Sequence, residues 1–159
     1  MGAKQFDYYM FIDYSENFIG YMVVDKNVIS EFLLKITKFA HYNNIKHKPA
    51  YIHSIKKTIE KNEILSFLLK SKIRKTTATP EIYSDILEFL KNHENCLIFI
   101  SIDNKQYSNF EKLVKIIDGA NTKVVRENEL KKDSQEYRMS LVLDTMLNIE
   151  RLKHKNSIG

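Results

Sequence analysis

The sequence predicts an α/β domain built on a mixed β-sheet that opens with an antiparallel hairpin and carries helices on both faces. Two observations place the strands. The runs Asp7–Asp13 and Phe18–Val24 are apolar and β-rich, and Tyr14-Ser15-Glu16-Asn17 between them has turn chemistry. The run Cys96–Ile102 is almost wholly apolar, as a strand covered on both faces must be. A third observation supplies the helices: apolar residues recur at steps of three and four through most of the remaining chain.

Taken in order, the hairpin closes at Asp25-Lys26-Asn27, and a helix is expected over Val28–Asn43, with Ile29, Phe32, Leu33, Ile36, Phe39 and Ala40 on one face. Ala50–Ile52, next to Pro49, reads as a short edge strand, where proline is tolerated. Ser54 caps a helix expected to run to Ser71, with Ile55, Ile59, Leu65, Leu68 and Leu69 as its apolar set. Thr76–Thr79 breaks it. Thr79 and Pro80 then start a helix that ends near Asn92, with Thr as cap and Pro at the first helical position. After the Cys96–Ile102 strand come a helix over Ser108–Asp118 stopped by Gly119, a short strand over Thr122–Val125, and a last helix from Ser134 to about Lys153. Residues 1–155 are expected to form a single domain, and 156–159 a polar tail.

A chain of 159 residues fits one domain. Its 28% charged residues are accompanied by 43% hydrophobic and 11% aromatic ones, enough to bury a core, so disorder is not expected. The lone Cys96 excludes an internal disulfide and a cysteine-based zinc site. His41, His47 and His53 lack the close spacing of a helical metal pair. Neither a P-loop nor a dinucleotide fingerprint is present. No signal peptide and no membrane span can be read, so a cytoplasmic location is expected. The net charge of +5 favours polyanionic partners weakly, and a solvated lysine-rich surface explains it as well.

The candidate chemistry lies in three aspartates. Asp13 stands at the end of the first strand and Asp103 at the end of the strongest one. Asp144 lies inside the last helix, in Leu141-Val-Leu-Asp-Thr-Met-Leu147. An ionised carboxylate among leucines is costly unless it sits at an exposed edge, is neutralised by Arg138 or Arg151, or holds a metal. Singly, each aspartate reads as turn or surface chemistry. Together, converging carboxylates repel one another, and Mg²⁺ or Mn²⁺ relieves the repulsion with hard oxygen ligands.

This arrangement resembles the ribonuclease H-like nucleases, and most of all the DUF3800 group of uncharacterised proteins. Members of that group open with "hydrophobic-Ile-Asp-Glu-Ser-Gly" and end in a helix of the form "Leu-hydrophobic-Ala-Asp-hydrophobic". Phe11-Ile12-Asp13 matches the first pattern, and Ser140-Leu-Val-Leu-Asp144 resembles the second. The chain departs from the pattern after Asp13, where Tyr14-Ser15-Glu16 brings the glutamate two residues late. It also lacks an obvious third strand before the first helix, with only the Tyr51 region on offer. The resemblance implies a metal-dependent nuclease acting on DNA or RNA by two-metal hydrolysis. Asp13, Asp103 and Asp144 would then be catalytic metal ligands and Glu16 a fourth acid.

The basic run Lys70-Ser-Lys72-Ile-Arg74-Lys75, read as a helix end, is a candidate phosphate grip; a solvated helix terminus explains it equally. Two other readings stand beside the nuclease. One is a PIN-like nuclease, which passes from its first strand straight into a helix. The other is a catalytically inactive domain that binds nucleic acid or protein, with Phe67-Leu-Leu69 as an apolar docking face. Homo-oligomerisation is compatible with all of them.

Overall fold

A computed structural model of the chain describes residues 6–101, 108–112, 114–115, 122–126 and 129–158, with side chains to 154. The hairpin forms as expected. Strand β1 (Tyr8–Ser15) pairs antiparallel with β2 (Phe18–Asp25). Ser15 sits opposite Phe18, so Glu16 and Asn17 form a two-residue loop, with Glu16 in the left-handed region at φ 51°. Strand β3 (Leu68–Lys75) adds antiparallel to β2. On the other side β4 (Cys96–Ile100) and β5 (Lys123–Arg126) add parallel, giving the order β3-β2-β1-β4-β5.

Side-chain alternation divides the core between two faces. Met10 and Ile12 of β1 pack with Ile82, Ile86 and Phe89 of helix α3 (Thr79–Asn92) and with Phe110 and Val114 of the helical stretch after β4. Phe11 turns to the opposite face. There it joins Phe32 of α1 (Ile29–Lys35), Ile55 of α2 (Lys48–Lys61) and Val142 and Leu147 of α4 (Gln135–Ile158). Helices therefore cover both faces. No helix among the described residues is long and apolar enough to cross a membrane.

The segment between β2 and α3 departs from expectation. The helix expected over Val28–Asn43 stops at Lys35, and a 3₁₀ turn follows at Tyr42–Asn44. Ile36 and Phe39 are still buried, so the apolar spacing is satisfied by a loop that plugs into the core. The expected strand around Tyr51 is instead part of α2, which takes Pro49 into its first turn. The long helix expected over Ser54–Ser71 ends at Lys61, where Glu63 takes φ 51°, and Leu68–Lys75 is a strand. The third strand thus exists, after two helices, and the basic run lies on it. Its lysines mask it: β3 is a charged edge strand with one β-branched residue, Ile73.

Two smaller differences concern helix ends. Thr79 does not cap α3 with its side chain; its hydroxyl donates to the Thr76 carbonyl at 2.6 Å. Helix α4 runs past Lys153 to Ile158, through most of the expected tail, and Ser134 caps it by accepting from the Tyr137 amide at 3.1 Å.

Candidate functional site

Asp13 lies near the C-terminal end of β1, on the face that α4 covers. Its strand partner is Gly20. A Cβ on Gly20 would stand 3.2 Å from Leu147 Cδ2 and 3.0 Å from Ile73 Cγ1, so the missing side chain lets α4 approach the sheet beside Asp13. The parallel neighbour β4 ends at the same level, where the Ser101 amide donates to the Ile12 carbonyl at 3.0 Å. Both strand ends therefore open onto one rim.

Asp144 reaches that rim from α4. It is 8% exposed and Asp13 9%, so both carboxylates are nearly withdrawn from water. The Tyr42 amide donates to Asp144 Oδ2 at 2.9 Å. Asn148 Nδ2, one helical turn on, lies 3.5 Å from Oδ1 and donates to the Asp144 carbonyl at 2.8 Å. Asp13 Oδ1 accepts the Tyr14 amide at 2.8 Å. Neither structural explanation offered by the sequence accounts for Asp144. It is not exposed, and Arg138 donates to the Leu33 carbonyl, while Arg151 turns to Asn148 and Glu16.

His41 faces Asp144, with Nε2 3.8 Å from Oδ1. Its Nδ1 accepts the Asn43 amide at 3.3 Å, which assigns the proton of the neutral ring to Nε2, on the side of the carboxylate. Arg151 is held from three sides. Its Nη2 donates to Asn148 Oδ1 at 2.9 Å, Nη1 lies 3.6 Å from Glu16 Oε1, and the guanidinium sits 5.4 Å from the centre of the Tyr42 ring. Ser15 closes the network by donating to Asn148 Oδ1 at 3.1 Å.

Asp13, Glu16, His41, Asp144, Asn148 and Arg151 all line one cleft of about 580 Å³. Asp13 and Asp144 thus open into a common space. Glu16 is on the same cleft but 68% exposed, with its carboxylate directed at Arg151. Asp103 lies outside the described residues. Among the described residues, no three His, Cys, Asp or Glu side chains cluster closely enough to hold a metal ion by themselves.

The basic run lies elsewhere. Lys70, Lys72 and Arg74 pair in register with Val23, Tyr21 and Ile19, whose side chains belong to the α3 face, opposite the carboxylates. Lys72 is engaged by Asp85 and by Glu81 at 3.3 Å, and Arg74 lies 3.5 Å from Glu81. Hydrogen bonding to Asp85 pushes the Lys72 ammonium up, and Lys72 in turn holds the Asp85 carboxyl below the usual carboxylate range. Lys75 alternates to the other side, opposite Phe18.

Sequence reasoning missed His41, Tyr42 and Asn148 as site residues and named Arg151 only as a possible neutraliser of Asp144. Asn148 and Arg151 stand four and seven residues after Asp144, on its helical face, and that spacing was the available signal. His41 and Tyr42 come from the segment after α1, where the apolar spacing is helical but the chain is not.

No family model matches the chain, and no curated protein matches it. Solved structures do. The ribonuclease HII of Archaeoglobus fulgidus, solved in complex with PCNA, superposes over 94% of this chain and 74% of its own, with a TM-score of 0.54 and 9% identity. The ribonuclease H2 of Pyrococcus horikoshii OT3 superposes over 94% and 77%, with a TM-score of 0.50 and 16% identity. The fold is therefore that of the ribonuclease H-like proteins. It agrees with the mixed sheet and two-sided helices expected from the sequence.

Proposed function

We propose that this chain is a metal-dependent nuclease that hydrolyses phosphodiester bonds of DNA or RNA, acting as one domain over residues 1–155. The observation that carries the reading is the pair of nearly buried carboxylates, Asp13 and Asp144, facing one cleft at the C-terminal ends of β1 and β4. Two nearly buried carboxylates lining one cleft favour a cation between them. Carboxylate oxygens are the hard donors that Mg²⁺ and Mn²⁺ take, so the residues present fit such an ion.

Asp13, Asp144 and Asp103 would hold the metal, with Glu16 as a further acid. When bound, divalent ions lower the pKa of water and stabilise a leaving oxygen. The chain's own residues do the rest. The Tyr14 and Tyr42 amides and Asn148 fix the carboxylates. Arg151, beside the carboxylates, is suited to a phosphate oxygen. The order of motifs and the short matches at Asp13 and Asp144 support a relationship to the DUF3800 group. The β1–β2 hairpin disfavours the PIN-like alternative.

A second reading, an inactive domain that binds nucleic acid, is favoured by one feature. Arg151 brings positive charge into the cleft where the metal would bind. Cleavage of labelled DNA, RNA and hybrid duplex with Mg²⁺ or Mn²⁺ separates the two. The nuclease reading expects cleavage that EDTA and Asp13→Asn each abolish. Cleavage that survives Asp13→Asn overturns the site; binding without cleavage in any metal favours the inactive domain.

A further inference from the structure

We infer that a groove between α2 and the loop after α1 is a phosphate site, a second contact for a nucleic-acid strand outside the carboxylate cleft. The groove has a volume of about 310 Å³, and Lys38, Lys57 and Lys61 line it together with Ser54, Thr58 and Asn62. Three exposed lysines thus border one depression with no acidic residue in its lining; the Thr58 hydroxyl there donates to the Ser54 carbonyl at 3.3 Å. No acid pairs with any of the three lysines among the described residues.

That arrangement gathers positive charge with no acid in the groove lining to offset it. Lys57 and Lys61 are one helical turn apart, a like-charge spacing that disfavours a helix. Lys61 gains from the C-terminal end of α2, but Lys38 lies on another element and shares no such gain. The groove is also built rather than incidental. Asn62 Nδ2 donates to the Lys35 carbonyl at 3.1 Å, tying the end of α2 to the end of α1. Lys38, itself exposed, lies in sequence between Ile36 and Phe39, both buried in the core. Compact ammonium charges suit phosphate oxygens.

Assigning the phosphate to a nucleic-acid strand rests on the function proposed above. Lys38 stands three residues before His41, which lines the cleft. Three residues span at most about 11 Å, so groove and cleft are neighbours along one surface. The basic run of β3, on the far face of the sheet, has no such continuity.

The test is fluorescence anisotropy with labelled single strands and hybrid duplex, in EDTA so that neither metal nor cleavage enters, over about 50 to 200 mM salt. The variant K38Q/K57Q/K61Q is expected to bind about tenfold more weakly at low salt, and to flatten the plot of log K against log salt by about 2. The control K91Q/K112Q/K115Q, with the same charge change on the α3 side, is expected to stay within about twofold. Equal effects of the two variants, or an unchanged slope, overturn the site. Amide shifts of Thr58 and Asn62 separate the sources. If inorganic phosphate moves them and the oligonucleotide does not, the strand assignment is overturned in favour of a free phosphate compound. Absence of metal-dependent cleavage with lysine-dependent binding intact sinks the nuclease reading alone.

Discussion

The backbone amide of Tyr42 donates to the Oδ2 atom of Asp144 at 2.9 Å, across 102 residues of sequence. One side chain therefore has two tasks. It presents an oxygen to the cleft and holds down the loop that forms the cleft's wall. Asp144→Ala removes the acceptor and strands a buried N–H, which costs about 1–3 kcal/mol. Asp144→Asn keeps an oxygen for Tyr42 and is expected to stay within about 1 kcal/mol of wild type. Urea unfolding measures both. Loss of cleavage in the asparagine variant then reports charge, not folding.

His41 touches Asp144 rather than the strand ends, so its expected role is positioning. His41→Ala is expected to lower cleavage about 10- to 100-fold and to move the Mn²⁺ activation curve to higher concentration. His41→Gln keeps an N–H donor and is expected to recover part of the loss. An activation curve that does not move in either variant contradicts the role.

Glu16 pairs with Arg151 on the cleft, its Oε1 3.6 Å from Nη1. Glu16→Gln frees the guanidinium and is expected to tighten nucleic-acid binding several-fold at low salt, an effect that fades as salt screens it. Arg151→Ala is expected to weaken binding and also to loosen Asn148. If Glu16 is needed as a metal ligand instead, Glu16→Gln lowers the response to Mn²⁺ without tightening binding in EDTA.

Gly20 sets the separation of α4 from the sheet beside Asp13. Gly20→Val puts bulk against Leu147, Ile73 and the Lys72 carbonyl, the last 3.2 Å from the Cβ position. A loss of about 1–3 kcal/mol is expected, with reduced cleavage because α4 carries Asp144. A variant with wild-type melting and activity would show that the helix can shift freely.

On the α3 face, Lys72 holds the Asp85 carboxyl below its usual range. The unfolded state then takes up that proton first as pH falls. The stability from this pair is present above the ordinary aspartate pKa of about 3.9 and is lost as pH drops through the lower folded value. Asp85→Asn is expected to be less stable than wild type at neutral pH and to converge with it in acid. Parallel stability curves at all pH values would exclude the linkage.

The sheet's centre was legible because β1, β2 and β4 are buried on both faces and their apolar runs leave little choice. Asp13 and Asp144 were legible for the opposite reason, as charges where apolar residues were due. The region from Ile36 to Lys75 was not legible. Its apolar spacing is helical, but Tyr51 settles the backbone by long-range contact, its hydroxyl 3.0 Å from the Ala40 amide and 3.1 Å from Thr145 Oγ1. Nothing local in Ala40–Tyr42 announces those partners, so the loop that supplies His41 could not be foreseen. β3 was hidden because a charged edge strand lacks the alternation that marks a half-buried one.

That strand has a consequence for assembly. β3 leaves its outer backbone groups unpaired by any other described strand, a standing invitation to a further strand. Its four cations answer the invitation. Two copies meeting edge to edge would bring lysine and arginine side chains against one another, so self-templating is discouraged at the margin most exposed to it. Charge that resembles a nucleic-acid grip in the sequence would also disfavour such edge-to-edge growth.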